Sequence, residues 1–218
     1  MKKSKQMIQI MQEKRKYFLF KVADILEKNN IEFFLSFGTL LGVIREQDFI
    51  KWDNDIDIGF RKNYFSDNPT LWRKVIKELD EAHIIPNVVW FNHASTSILY
   101  KYEVGMDIYN SIPQYYTDTI SMDMYCHIKR GNRYFVDLQG LQYYFAEKFI
   151  DTLEEITFLG RKFNIPKNPE EYLTYMYGKN WKIPKANRKG TKNKIKRPEI
   201  KEIRYKHIMP YYGEENNG

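Results

Sequence analysis

Two aspartates one residue apart carry the first chemical indication in this chain. The run Asp53-Asn54-Asp55-Ile56-Asp57-Ile58 alternates acid with non-acid. In an extended strand side chains point to opposite faces with period two, so Asp55 and Asp57 share a face while Ile56 and Ile58 turn into a core. Their separation is then about 6–7 Å, at roughly 3.3 Å of rise per residue. Neighbouring carboxylates repel, and removing them from water is costly unless a cation lies between them. A hard divalent ion relieves both penalties, and Mg²⁺ commonly takes one or two carboxylates together with substrate phosphates. Asp53 has the same parity and is expected to support the set or join it.

Upstream lies Gly38-Thr39, between the apolar run Phe33–Phe37 and Leu40–Arg45. The economical reading is strand, glycine turn, short helix. Glycine lets backbone N–H groups approach a phosphate, and a helix N-terminus adds a favourable dipole. Thr39 would cap that helix or donate to a phosphate oxygen. Arg45 follows, and its guanidinium suits bidentate phosphate recognition; a surface salt bridge is the plainer role. A third acid has to come from the middle of the chain, because two-metal sites need carboxylates that bridge or add to the pair. Asp123, in Ile120-Ser121-Met122-Asp123-Met124-Tyr125, and Asp107, in Gly105-Met106-Asp107-Ile108-Tyr109, look alike locally.

Several elements must position these groups. Met11, Phe18, Val22, Ile25 and Leu26 recur at helical spacing within Met7–Lys28, and Asn29-Asn30 stops the helix. It is expected to pack on the sheet, although its lysines also suit a membrane surface. Arg61–Asn68 reads as polar loop, and Leu71, Val75, Ile76 and Leu79 mark an amphipathic helix ending at Ala82. Ile84–Trp90, Ser97–Val104 and Ile120–His127 read as strands, and Gly131-Asn132 turns the chain into Arg133–Leu138 as a hairpin. Asn168-Pro169-Glu170-Glu171 opens a further helix with proline in its first turn, and Gly178 closes it. Trp52 is expected in the core and Lys51 on the surface. His83, His93, His127 and His207 show no metal-ligand spacing and are read as structural or surface residues.

Composition narrows the classes. A net charge of +7 favours polyanionic partners without choosing among them. The single cysteine, Cys126, excludes an intramolecular disulfide and a cysteine-rich zinc cluster, which fits a reduced, cytoplasmic setting. No signal peptide is expected, and no run approaches the roughly 18–20 apolar residues of a membrane span. Residues 1–184 are expected to form one domain, with 185–218 a basic C-terminal extension.

Gly38-Thr39 with Asp55-x-Asp57 resembles the Gly-Ser/Thr…Asp-x-Asp signature of the nucleotidyltransferase (DNA polymerase β-like) superfamily. The fuller strings, Gly-Thr-Leu-Leu-Gly-Val-Ile-Arg from Gly38 and Phe-Ile-Lys-Trp-Asp-Asn-Asp-Ile-Asp-Ile from Phe49, closely resemble the LicD/fukutin-related family. The chain departs from that pattern at Lys51, where proline is common, and at Asn54, where aspartate is frequent. Tyr177-Gly178 followed by Trp181 and Pro184 is similar to the family's closing segment. The resemblance implies an α/β (α+β) fold, a nucleotidyltransferase-like mixed sheet flanked by helices. It favours Asp123 as the third acid, since there an acid in a strand precedes a hairpin. It further implies Mg²⁺ or Mn²⁺ on Asp55, Asp57 and Asp123, with Asp53 nearby, and Gly38, Thr39 and Arg45 at the phosphates. The implied reaction moves phosphocholine or a polyol phosphate from a CDP-activated alcohol donor to a surface glycan or lipid-linked oligosaccharide, leaving CMP. The implied setting is bacterial surface-polysaccharide synthesis (capsule, lipopolysaccharide or teichoic acid), with peripheral contact at the inner face of the membrane. Two competitors are a nucleotidyltransferase adding NMP to a small molecule or RNA, and a non-catalytic basic module binding nucleic acid. No stable nucleic-acid partner is expected on the favoured reading.

Overall fold

The computed structural model describes residues 5–53, 55–82, 84–92, 95–102, 120–138 and 141–184. Asn54, His83, His93, Asp107, His207 and the extension 185–218 lie outside them.

The first helix, α1 (Lys5–Lys28), buries Met11, Arg15, Phe18, Leu19, Val22, Ala23 and Leu26 as one stripe. One of those residues is an arginine. The helix stops where expected: Asn30 takes the left-handed conformation (φ 54°), and the Asn29 amide donates back to the Ile25 carbonyl. Strand β1 (Phe34–Leu35) is short, and α2 (Phe37–Glu46) begins directly after Ser36. Gly38 therefore lies inside the first turn of α2, not in a turn before it.

β2 (Asp55–Phe60) is followed by α3 (Tyr64–Asp67) and α4 (Pro69–Glu81). The polar loop expected over Arg61–Asn68 thus contains a single helical turn. Asn68 caps α4 by accepting the Leu71 N–H. The buried face of α4 is Trp72, Val75 and Leu79, with Leu71 and Ile76 at its margin. Trp72 replaces Leu71 at the centre of the expected stripe because its large ring reaches the core from one position further round the helix.

β3 (Ile85–Asn92), β4 (Ser95–Tyr102) and β5 (Ile120–Cys126) complete a sheet in the order β1-β2-β5-β4-β3. Only the β2–β5 pair is parallel; the others are antiparallel. Ile56 and Ile58 stand in register with Met122 and Met124, and all four are fully buried. That apolar row holds the central strands together from one side. A second sheet contains β6 (Ile128–Arg130), β7 (Arg133–Leu138) and β8 (Leu141–Ala146). Gly131 supplies the left-handed turn (φ 59°) of the expected hairpin.

α5 (Glu147–Ile150) leads to a hairpin of β9 (Leu153–Phe158) and β10 (Arg161–Pro166). β8, β9 and β10 were not evident in the sequence: β8 is a largely apolar and aromatic run without alternation, and charged residues blur the alternation in β9 and β10. α6 (Pro169–Tyr177) ends at Gly178 as expected and packs on α2. Trp52 departs from expectation: it is 37% exposed on the turn ahead of β2, 6.0 Å from the Arg45 guanidinium carbon. A tight turn at Lys51-Trp52 has no interior side, so the ring stays at the surface. Among the described residues no helix is long and apolar enough to cross a membrane.

Candidate active site

Alternation in β2 and β5 creates two faces with opposite chemistry. Opposite the apolar row, β2 carries Asp55 and Asp57, and β5 carries Asp123 and Tyr125. The parallel register sets Asp57 beside Asp123 and Asp55 beside Ser121. Residues far apart in sequence thereby become lateral neighbours, at the strand spacing of about 4.8 Å.

The first turn of α2 meets this face at Asp57. The Gly38 N–H donates to Asp57 Oδ2 (2.8 Å), and the Asp57 N–H donates to Thr39 Oγ1 (2.8 Å). The Ser36 N–H donates to the Asp57 carbonyl (3.1 Å), which joins helix to strand a third time. A β-carbon at position 38 would lie 2.9 Å from Asp57 Oδ2 and 3.3 Å from Asp53 Oδ2. Glycine leaves that space to two carboxylates, which a β-carbon would crowd. Asp53 lies in the turn before β2, its N–H donating to the Ile50 carbonyl (3.1 Å), and its side chain reaches the same spot.

The residues expected at the phosphates have protein partners in this structure. Gly38 and Thr39 are engaged by Asp57, and Thr39 is buried and does not cap α2, whose cap position is Ser36. Arg45 donates to the Trp181 carbonyl (3.2 Å) and to Glu46 (2.6 Å), tying α2 to the segment after α6. Its contacts are those of a structural tie.

The electrostatics of the acidic face are one-sided. Burial pushes the Asp57 carboxyl well above its ordinary value, and Asp55, Asp123 and Asp53 push it further; the hydrogen bond from the Gly38 N–H opposes them. Burial also raises Asp123 to about 6, although the Tyr125 hydroxyl donates to its Oδ2 (2.9 Å) and favours the charged form. Burial and the same acids hold Tyr125 and Tyr177 in the phenol form. Tyr172 is buried nearby beside Ser36, and burial raises its phenol above the ordinary value. His127 is packed against Phe34, Phe37 and Phe145, where burial drops it to about 3. That neutral imidazole is structural, as expected.

The donor set suits a hard divalent cation: carboxylate oxygens on one face, one of them 7% exposed and surrounded chiefly by like charge. Among the described residues no three acid, histidine or cysteine side chains already close around a point. A bound cation would draw the carboxylates together.

The reading of residue types overlooked Arg15, Gln12, Tyr125 and Tyr177. Arg15 had a signal: it falls between Met11, Phe18 and Val22 on an otherwise apolar stripe. Tyr125 had one as well, two residues beyond Asp123 on the same strand face.

A family model and several known proteins match this chain. The model for "LicD/FKTN/FKRP, nucleotidyltransferase domain" matches residues 30–168. The ribitol-5-phosphate transferases FKTN of Macaca fascicularis and Homo sapiens are each 29% identical over 163 residues, covering 74% of this chain and 32% of theirs. The chain thus spans about a third of the length of these curated relatives. An uncharacterized Rickettsia prowazekii protein, RP689, shares 50% identity over 36 residues, 16% of this chain and 14% of its own. The solution structure of the antibiotic-resistance factor ANT(2'')-Ia aligns with a TM-score of 0.44 at 12% identity, over 71% of this chain and 66% of that one.

Proposed function

The chain belongs to the LicD/FKTN/FKRP nucleotidyltransferase-domain family, and we propose that it is a metal-dependent transferase of phospho-alcohols. In this reading it moves the phospho-alcohol from a CDP-linked donor to a glycan hydroxyl and releases CMP. One observation carries the proposal: Asp57 is buried among Asp55, Asp123 and Asp53, with Gly38 N–H donating to it. A carboxylate enclosed mainly by like charge calls for a cation. Asp55, Asp57 and Asp123 would hold Mg²⁺ or Mn²⁺, with Asp53 alongside. A divalent ion bound there supplies charge neutralisation at the donor diphosphate.

The reaction is a displacement at phosphorus. The acceptor hydroxyl oxygen bonds to the phosphorus that bears the alcohol. The bond from that phosphorus to the bridging oxygen breaks, and CMP leaves with the electron pair. An aspartate of the set takes the hydroxyl proton, and the Tyr125 hydroxyl keeps Asp123 oriented. Such chemistry consists mostly of positioning and charge stabilisation, so it needs no serine or cysteine nucleophile.

The relatives' ribitol-5-phosphate makes a polyol phosphate the first alcohol to test, with phosphocholine next. A surface glycan or lipid-linked oligosaccharide, met at the inner face of the membrane, is the acceptor class. The test is product analysis with Mg²⁺, CDP-ribitol, CDP-glycerol or CDP-choline, and an acceptor glycan. Free CMP beside a phospho-modified glycan supports the reading. Nucleotide joined to the acceptor overturns it in favour of an NMP-adding enzyme. Asp55→Asn should abolish turnover while the circular dichroism spectrum stays unchanged.

A further inference from the structure

A fully buried arginine from outside the matched family domain is bonded to the turn that carries Asp53. Arg15, on α1, donates from Nη1 to the Ile50 carbonyl at 3.0 Å and is 0% exposed. Its Nη2 donates to Gln12 Oε1, and Gln12 Nε2 donates to the Phe49 carbonyl at 2.8 Å. The guanidinium carbon lies 5.0 Å from the Phe49 ring centroid. Two side chains one helical turn apart therefore hold two consecutive carbonyls of one loop.

The Ile50 carbonyl has a second donor, the Asp53 N–H at 3.1 Å. One oxygen thus receives both the clamp from α1 and the hydrogen bond that closes the Ile50–Asp53 turn. From that turn the Asp53 carboxylate reaches the α-carbon of Gly38, where Asp57 Oδ2 also lies. On its other side the loop is pressed by α2: a β-carbon at Gly42 would meet the Asp48 carbonyl at 2.6 Å and the Ile50 nitrogen at 3.1 Å. The loop is gripped between two helices, and no side chain in the grip belongs to the acidic set.

An arginine that has no ion-pair partner at hydrogen-bond distance among the described residues is an expensive way to bond a carbonyl, since burying a guanidinium is costly. A methionine or leucine would fill the stripe of α1 better if packing were the only demand. What the guanidinium adds is a rigid fork and a positive charge that interacts most strongly with Asp53, then with Asp48, Asp55 and Glu46.

We propose that Arg15, oriented by Gln12, is the positioning residue that holds the Phe49–Asp53 turn so that Asp53 stands beside Asp57, and that it thereby sets affinity for the divalent cation. The inference rests on the metal-dependent reading above. Arg15 touches no substrate in this scheme; it acts through Asp53. Outer-sphere partners of this kind typically change metal affinity by about 10–100-fold.

The test is Mn²⁺ binding to the purified chain, followed by calorimetry and by the electron paramagnetic resonance signal of free Mn²⁺, alongside the metal dependence of CMP release. Arg15→Lys keeps the charge but not the fork, and Gln12→Met removes one donor. Both should weaken Mn²⁺ binding, about 10-fold or more for Arg15→Lys and less for Gln12→Met, with kcat at saturating metal near the parent value. In an Asp53→Asn background, Arg15→Lys should have no further effect on Mn²⁺ affinity. Unchanged affinity in both single variants, or a full additional loss in the Asp53→Asn background, overturns the inference while leaving the metal site standing. Failure of the parent chain to bind Mn²⁺ overturns both. Should Arg15→Lys not fold, Gln12→Met alone decides.

Discussion

Replacing Asp123 by asparagine should make the metal-free protein more stable while destroying its activity. Burial lifts the Asp123 carboxyl from its ordinary 3.8 to about 6, so folding favours the protonated form. Contributions of this sign are present below the unfolded value and disappear as pH rises through the folded one. Metal-free protein should therefore lose stability from about pH 4 to about pH 7, by an upper figure of about 3 kcal/mol for this group. Asparagine carries no charge to lose, and its carbonyl oxygen can still accept the Tyr125 hydroxyl that now donates to Asp123. In a chelator, Asp123→Asn and parent should melt together near pH 4. At pH 8 the variant should melt higher by up to about 6–12 °C, taking 2–4 °C per kcal/mol for a chain of this size. Saturating Mg²⁺ should restore the parent at pH 8 and leave the variant unmoved. A variant that melts below the parent at pH 8 in chelator, or a gap that does not vary with pH, would refute the claim that burying the charged Asp123 carboxylate destabilises this face.

Three further outcomes test other contacts. Gly38→Ala would put its new carbon 2.9 Å from Asp57 Oδ2; alanine's better helix propensity, about 1 kcal/mol, offsets the crowding, so thermal stability should change little while the Mg²⁺ concentration for half-maximal CMP release rises at least about 10-fold. Gly59→Ala would place a carbon 2.4 Å from Phe34 Cζ and 2.9 Å from His127 Cε1, and urea denaturation should report a loss of about 1–3 kcal/mol or more from overpacking. Treatment with EDTA should abolish CMP release, and Mn²⁺ should restore it; activity that survives exhaustive chelation would count against the carboxylate set as a metal site.

Local patterns in the chain determined a good deal. Period-two alternation put Asp55 and Asp57 on one face of β2 and sent Ile56 and Ile58 into the core, where both are fully buried. Helical spacing located α1 and α4, and Gly131 and Gly178 marked a turn and a helix end because their positive φ is cheap only for glycine. Each of these follows from interactions within a few residues, which sequence order preserves.

Tertiary structure decided the rest. That Asp123 stands beside Asp57 depends on a parallel register between strands whose connection includes two helices and two further strands, and that register is selected by the Ile56, Ile58, Met122 and Met124 row. Gly38 proved to make room for carboxylates, Trp52 proved to be a surface ring, and Arg15 proved to reach the acidic turn from a helix far upstream. In each case the deciding neighbour is distant along the chain. Residue type and spacing state what a side chain can do, but only the packed fold fixes which group it meets and whether water is shut out.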